Sequence, residues 1–189
     1  MFQAPAHLQL PQSLRTARLS VGQNTDLPIA AIDRYPLLAA VLSHWDRARQ
    51  QTGRLPARLD PLLLPREILP YVMLLDLETA DCRPLLRIRL AGTEVCAKHG
   101  REMKGLTTDD FFHDADAAAV VQAAMNVAAS GQPSLASRSY VSIDDRMWSY
   151  VRLILPLSRN GRDVDSFFKV ADPASMRGLT APTVLPAAG

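Results

Sequence analysis

The chain has 189 residues, 48% hydrophobic and 21% charged, which suits one soluble domain with extensions and supplies enough apolar material for a core. Its 21 basic and 19 acidic residues nearly cancel, and the arginines are scattered, which excludes the basic stripe of a dedicated nucleic-acid binder. No apolar run approaches a bilayer span, no secretory pattern opens the chain, and Cys82 and Cys96 make no disulfide framework; a cytoplasmic protein with reduced thiols and no membrane or nucleic-acid partner is expected.

Residues 1–30 carry Pro, Gln, Ser and Asn without a sustained period and read as a flexible leader. Residues 31–70 hold an N-terminal helix and a connector. In the helix Leu38, Val41, Leu42 and Trp45 recur at three- and four-residue spacing, with Pro36 near the start and Gly53 as the stop. The connector contains Pro56, Pro61, Pro65 and Pro70, so any helix inside it is one or two turns long. From residue 71 the period changes. "YVMLLDLE" reads as a central strand, apolar on both faces. "LLRIRLA" alternates, with Leu86, Ile88 and Leu90 on one face and Arg87 and Arg89 on the other.

"GTEVCAKHG" is a short helical turn stopping at Gly100, and "DADAAAVVQAAMNVAASG" a long helix, acidic at its start and closed by Gly131. Strands follow at "SLASRSYVSI", "MWSYVRLILPL" and "DVDSFFKV", the last two joined across Asn160–Gly161, a strong hairpin signal. Residues 174–189 read as a disordered tail. Strands at both ends with helices between them give an α+β domain over residues 71–173: one five-stranded antiparallel sheet with helices on one face, plus the amphipathic flanking helix.

This order resembles a PAS domain. "AGTEVCAKHG" places Gly92 where the family carries an Asn, and Gly100 where it carries a Gly; Gly105 follows, and "SGQPS" matches the exit from the long helix. "GRLPARLDPLLLPREILPYVMLLDLE", "RIRLAGTEV" and "RLILPLSRNGRDVD" are similar to the PAS_5 subfamily of short, mostly single-domain bacterial proteins, over about residues 35–173. The resemblance implies a sensory or interaction module without catalysis. Such modules bind haem, flavin, small acids or nothing visible, and commonly dimerise through flanking helices.

Several side chains invite a chemical reading. Cys96 and His99 share a helix face, but no second pair completes a zinc set, so no metal is expected. Haem needs one axial ligand, and His99 or His113, with Phe112 beside it, would stand next to the space such a fold encloses; a haem-bound gas or redox sensor is the first alternative. Neither cysteine sits in a flavin-photosensor context, and the glycines form no phosphate loop. Arg87 and Arg89 would select an anion if they face inward, would be solvated edge charges if they face outward, and lie within reach of a neighbouring carboxylate such as Asp76. Trp148 and Tyr150 share a strand face with Arg152 and Ile154, and either line a pocket or meet Trp45 of the flanking helix. Leu38, Val41, Leu42 and Trp45 would form a homodimer interface if their own sheet leaves them uncovered. A small α+β hydrolase-like enzyme is the second alternative, although no nucleophile elbow or HExxH motif occurs. No cofactor is required by the sequence; a small ligand or a regulatory protein partner is expected.

Overall fold

A strand buried on both faces organises the chain. The computed structural model describes residues 20–141 and 147–179. Within them β1 (Ser20–Leu27) precedes a 3-10 turn at Ile29–Arg34 and α1 (Pro36–Thr52). Two further 3-10 turns, Pro61–Leu63 and Arg66–Tyr71, occupy the proline-rich connector, as its prolines dictate. Then come β2 (Val72–Ala80), β3 (Arg83–Ala91), α2 (Thr93–Lys98), α3 (Thr108–Phe111), α4 (Asp114–Ser130), β4 (Ser134–Val141), β5 (Met147–Leu157), β6 (Ser166–Ala171) and β7 (Arg177–Leu179). They form one seven-stranded antiparallel sheet in the order β1-β4-β5-β6-β2-β3, with β7 pairing β5.

The α+β class and the antiparallel sheet are as expected, but two strands exceed the five. Residues 20–27, taken as leader, pair with β4 as an edge strand. Asn24, Thr25 and Asp26 are exposed there, so the backbone ladder holds β1 and no apolar alternation announces it. Arg177–Leu179, taken as tail, continues along β5 beyond the end of β6. Residues 1–19 of the leader and residues 180–189 of the tail lie outside the described residues.

Helical elements cover both faces of the sheet, not one. On the first face Met73, Leu75, Leu86, Ile88, Ile154 and Phe167 pack against Val95, Met103, Val121 and Ala124. On the second, Val72, Val151, Leu153, Leu155, Phe168 and Val170 pack against Leu38, Val41, Trp45, Leu59 and Ile68. Strand β5 serves both layers by simple alternation.

Helix α1 starts with Pro36 at its first turn and ends at Gly53 in the left-handed region, φ 65°. Leu38, Val41 and Trp45 are all at 0% exposure, and Trp45 Nε1 donates to Pro156 O at 2.9 Å. Leu42 is part-buried in the same cluster. The stripe of Leu38, Val41, Leu42 and Trp45 is therefore covered by the chain's own sheet, so the condition set for its use as a homodimer interface is not met. The pairing of Trp45 with Trp148 and Tyr150 is corrected, because α1 packs on the face opposite to theirs.

Two local departures have clear causes. The register of β2 and β3 shifts between Leu74 and Leu75, which leaves Arg89 as an extra residue. This bulge breaks the alternation, so Leu86 and Ile88 are buried while Leu90 is 45% exposed. The β5–β6 connection is a loop over 158–165, where Asn160 Oδ1 accepts from the backbone N–H groups of Arg162 and Asp163 at 2.9 Å each. Asn160–Gly161 marks the right hairpin but not a two-residue turn.

Gly92 stands where the resemblance expects Asn, and packing explains it. A Cβ at this position would lie 2.2 Å from Pro70 O, while its own N–H donates to Val72 O at 2.8 Å. The Pro-rich connector crosses too closely for any side chain. Gly92→Ala should lower the unfolding free energy by about 1–3 kcal/mol in chemical denaturation. Trp45→Ala should cost about 3–5 kcal/mol and leave the molecular mass in solution, read by light scattering, unchanged.

Candidate functional site

The first face of the sheet carries charge in its middle. Alternation along β4, β5 and β6 turns Arg138, Arg152 and Lys169 to that face, among Tyr150, Ile154 and Phe167. Arg138 lies opposite Tyr150, and Lys169 lies between Ile154 and Met73. Arg152 stands between Ala136 and Ala171, so neither cross-strand neighbour fills the space beside its guanidinium or pairs with it.

These groups line a cavity of about 60 Å³ between sheet and helices. At roughly 10–15 Å³ per enclosed water, it has room for about four. Met73, Leu75, Leu86 and Ile88 supply an apolar floor; Thr107, Thr108 and Phe112 close it beside α3, and Val120 and Ala124 of α4 roof it. His99, which ends α2, completes one wall.

Arg138 is 6% exposed and Arg152 only 1%. Among the described residues, Nη2 of Arg138 and both Nε and Nη1 of Arg152 have no hydrogen-bond partner. Arg152 Nη2 reaches Asn24 Oδ1 of β1 at 3.5 Å, the limit of such a bond. Arg138 lies over the Phe112 ring at 5.4 Å, and the Lys169 ammonium is 3.7 Å from Met73 Sδ and 6.0 Å from the Tyr150 ring centre. No carboxylate lines the cavity.

Titration behaviour follows from this crowding of like charge. Burial pushes Arg152 down to about 10, helped by Arg138 and opposed by Tyr150 and the exposed Asp26. Lys169 is lowered by burial and by both arginines, against the pull of Tyr150. Burial works to raise the Tyr150 phenol, but Lys169, Arg138 and Arg152 outweigh it and bring it below its ordinary value. His99 is pushed down to about 3, first by burial and then by Lys169, Arg101 and Lys98, so its imidazole is neutral at physiological pH.

Of the residues singled out from the sequence, His99, Phe112 and Tyr150 line the cavity. Trp148 packs on the same core, with the Lys98 ammonium 4.3 Å from its ring centre. His113 caps α4, is exposed, and lies outside the lining. Arg87 and Arg89 also lie outside it. Arg87 Nε meets both Glu78 oxygens at 2.8 and 2.9 Å, and its Nη1 donates to Gly105 O. Arg89 pairs with Asp76 at 3.4 Å. Their carboxylate partners sit on the adjacent strand, so these two arginines fasten the β2–β3 hairpin and the loop beside it. The cations in the cavity are different ones. Arg152 and Lys169 were visible in outline as lone cations within "YVRLILPL" and "SFFKVA", strands otherwise apolar on both faces. Arg138, in the more polar "SLASRSYV", carries no such signal.

Cys96 Sγ faces Ala91 O and Glu102 Oε1 at 3.9 and 3.7 Å, and burial, the largest influence, raises its thiol. Among the described residues no three His, Cys, Asp or Glu side chains gather as a metal site would need. Of the two histidines considered as haem ligands, His99 lines this space of about 60 Å³ and His113 lies outside it. No described helix is long and apolar enough to cross a membrane.

A family model described as a PAS domain, of the PAS_5 type, matches residues 34–170. No curated protein and no solved structure matches the chain.

The His99 ring makes a pH-dependent contribution whose sign is fixed. Its folded value near 3 lies below the 6.5 of an unfolded chain, so the folded state binds fewer protons between those limits. Stability is full above about pH 6.5 and falls as pH drops towards 3. Between pH 6.5 and 5, above the carboxylate range, denaturation should show a loss of about 1–2 kcal/mol that His99→Gln removes.

Proposed function

Since the chain belongs to the PAS domain family, we propose that it is a sensory module that takes a small molecule into this cavity and transmits by binding, without catalysis. The observation that carries the reading is the cavity itself: partly open, apolar on most of its wall, and holding polar groups convergent from three strands. Convergent titratable groups are also what an enzyme would need. Here, however, the lining offers no carboxylate or thiol, and an imidazole with a value near 3 is a weak base. Arrangements of this kind hold a ligand better than they move a proton.

Transmission has a physical route. A ligand acts only by binding one packing of the protein better than another. Tyr150, Arg152 and Ile154 face the cavity, while Val151, Leu153 and Leu155 of the same strand face α1, and Trp45 is bonded to Pro156 O. A shift of β5 at the cavity is therefore felt directly by the flanking helix. The helix can answer by moving as a packed body, since its apolar stripe is already covered.

Native mass spectrometry of the full chain should show a small-molecule increment that disappears on denaturation. A chain that carries nothing, even after incubation with a small-molecule extract of the producing cells, would remove the ligand from the reading and leave an interaction module.

A further inference from the structure

We infer that the cavity is built for a short organic carboxylate, with Arg138, Arg152 and Lys169 as its headgroup site. The inference rests on the sensory reading above and names the chemical class of what is sensed. Three cations from adjacent strands converge on one cavity between sheet and helices. Buried charges in folded proteins are paired, because an uncompensated one loses its hydration for nothing in return. Here the described residues leave Nη2 of Arg138 and Nε and Nη1 of Arg152 unpaired. Arg152 is the more telling of the two, at 1% exposure between two alanines. Its compensation within the chain is slight: Asn24 Oδ1 at 3.5 Å, Tyr150 on its own strand, and the exposed Asp26 acting at longer range.

An anion in the cavity supplies what the protein withholds. A carboxylate presents two oxygens in one plane, which suits the guanidinium fork, and Lys169 adds a point charge from the next strand. The remaining walls select the rest of the molecule. Met73, Leu75, Leu86, Ile88 and Phe167 offer nothing to a second polar end. Phosphate would turn some of its oxygens towards these side chains and leave them unsatisfied, whereas a carboxylate has one polar end and one apolar end. The volume of about 60 Å³ limits the apolar body to a few carbons in this packing.

The test uses the full chain, exhaustively dialysed, with sodium propionate, propionamide and inorganic phosphate as probes, read by calorimetry and thermal unfolding. Propionate should bind at least about tenfold more tightly than propionamide, its neutral counterpart, and more tightly than phosphate. Arg152→Met and Arg138→Met should each weaken propionate binding about tenfold or more. The unliganded Arg152→Met protein should melt at or above the parent temperature, because the change removes a buried charge and retains apolar volume. An arginine with a merely structural role would give a lower melting temperature and unaltered selectivity. Equal binding of acid and amide, tighter binding of phosphate, absence of propionate binding, or retention of it in both variants would each overturn the assignment. In any of these cases a small-molecule increment in the native mass spectrum would still stand for the sensory reading. Its absence would remove that reading separately.

Discussion

The structure depends on the alternation of β5. This strand is paired on both edges and covered on both faces, so each residue has an assigned side. A slip of one residue would carry Arg152 into the layer of Leu38 and Trp45 and put Leu153 in the cavity. The chain prevents that slip at several points. Trp45 is bonded to Pro156 O at one end of the strand. Where β6 stops and β7 has not begun, the turn at Pro173–Ser175 takes over: Asp172 N–H donates to Val151 O at 2.9 Å, and Ser175 Oγ accepts from Val151 N–H at 2.8 Å. Asp172 in turn accepts from Ser175 N–H at 2.8 Å and fixes the turn itself. The charge cluster has a defined geometry because the backbone beneath it is held this way.

The two layers do opposite things with the same sheet. The α1 layer is apolar throughout its buried cluster and stabilises the fold by burial of Leu, Val, Phe and Trp side chains. The cavity layer offsets part of that gain by carrying like charges where water is scarce. Separation by the sheet lets the molecule keep both. The cost also explains why the arginines on β3 are arranged so differently. Arg87 and Arg89 are partly exposed and each has a carboxylate on β2, so they cost little.

How much of this the sequence discloses depends on the kind of signal. Helices α1 and α4 are legible from apolar spacing and from the glycines that close them. β2 to β6 are legible from runs and alternation. β1 is not, because an edge strand of exposed polar residues is held by backbone pairing alone. Leu90 misleads because a bulge resets alternation without any mark in the sequence. The arginines show the limit most clearly. Period two separates Arg87 from Ile88 but does not say which of the two faces will be covered. For β5 the ambiguity was absent: with apolar residues on both faces, Arg152 had to be buried whichever way it turned. The signal lay in the mismatch between one residue and its strand, not in any motif.

Gly92 gives the same lesson at the level of the backbone. Where an Asn would bridge strand and helix, this chain brings Pro70 O into the position a Cβ would need. Contact with the connector thus replaces a side-chain bridge, and α2, which begins at Thr93 and leads to His99, is placed by main-chain packing. The wall of the cavity and the second-face layer consequently share a joint: the connector segment that touches Gly92 also contributes Ile68 to the α1 cluster. Two physical links therefore join the layers, one through the side chains of β5 and one around the end of β2, where Gly92 N–H is bonded to Val72 O. A ligand that displaced α2 to enter would have to strain the second link, while one that only drew Arg152 inward would act through the first. The size of the cavity, small enough to fill without moving α2, favours the first.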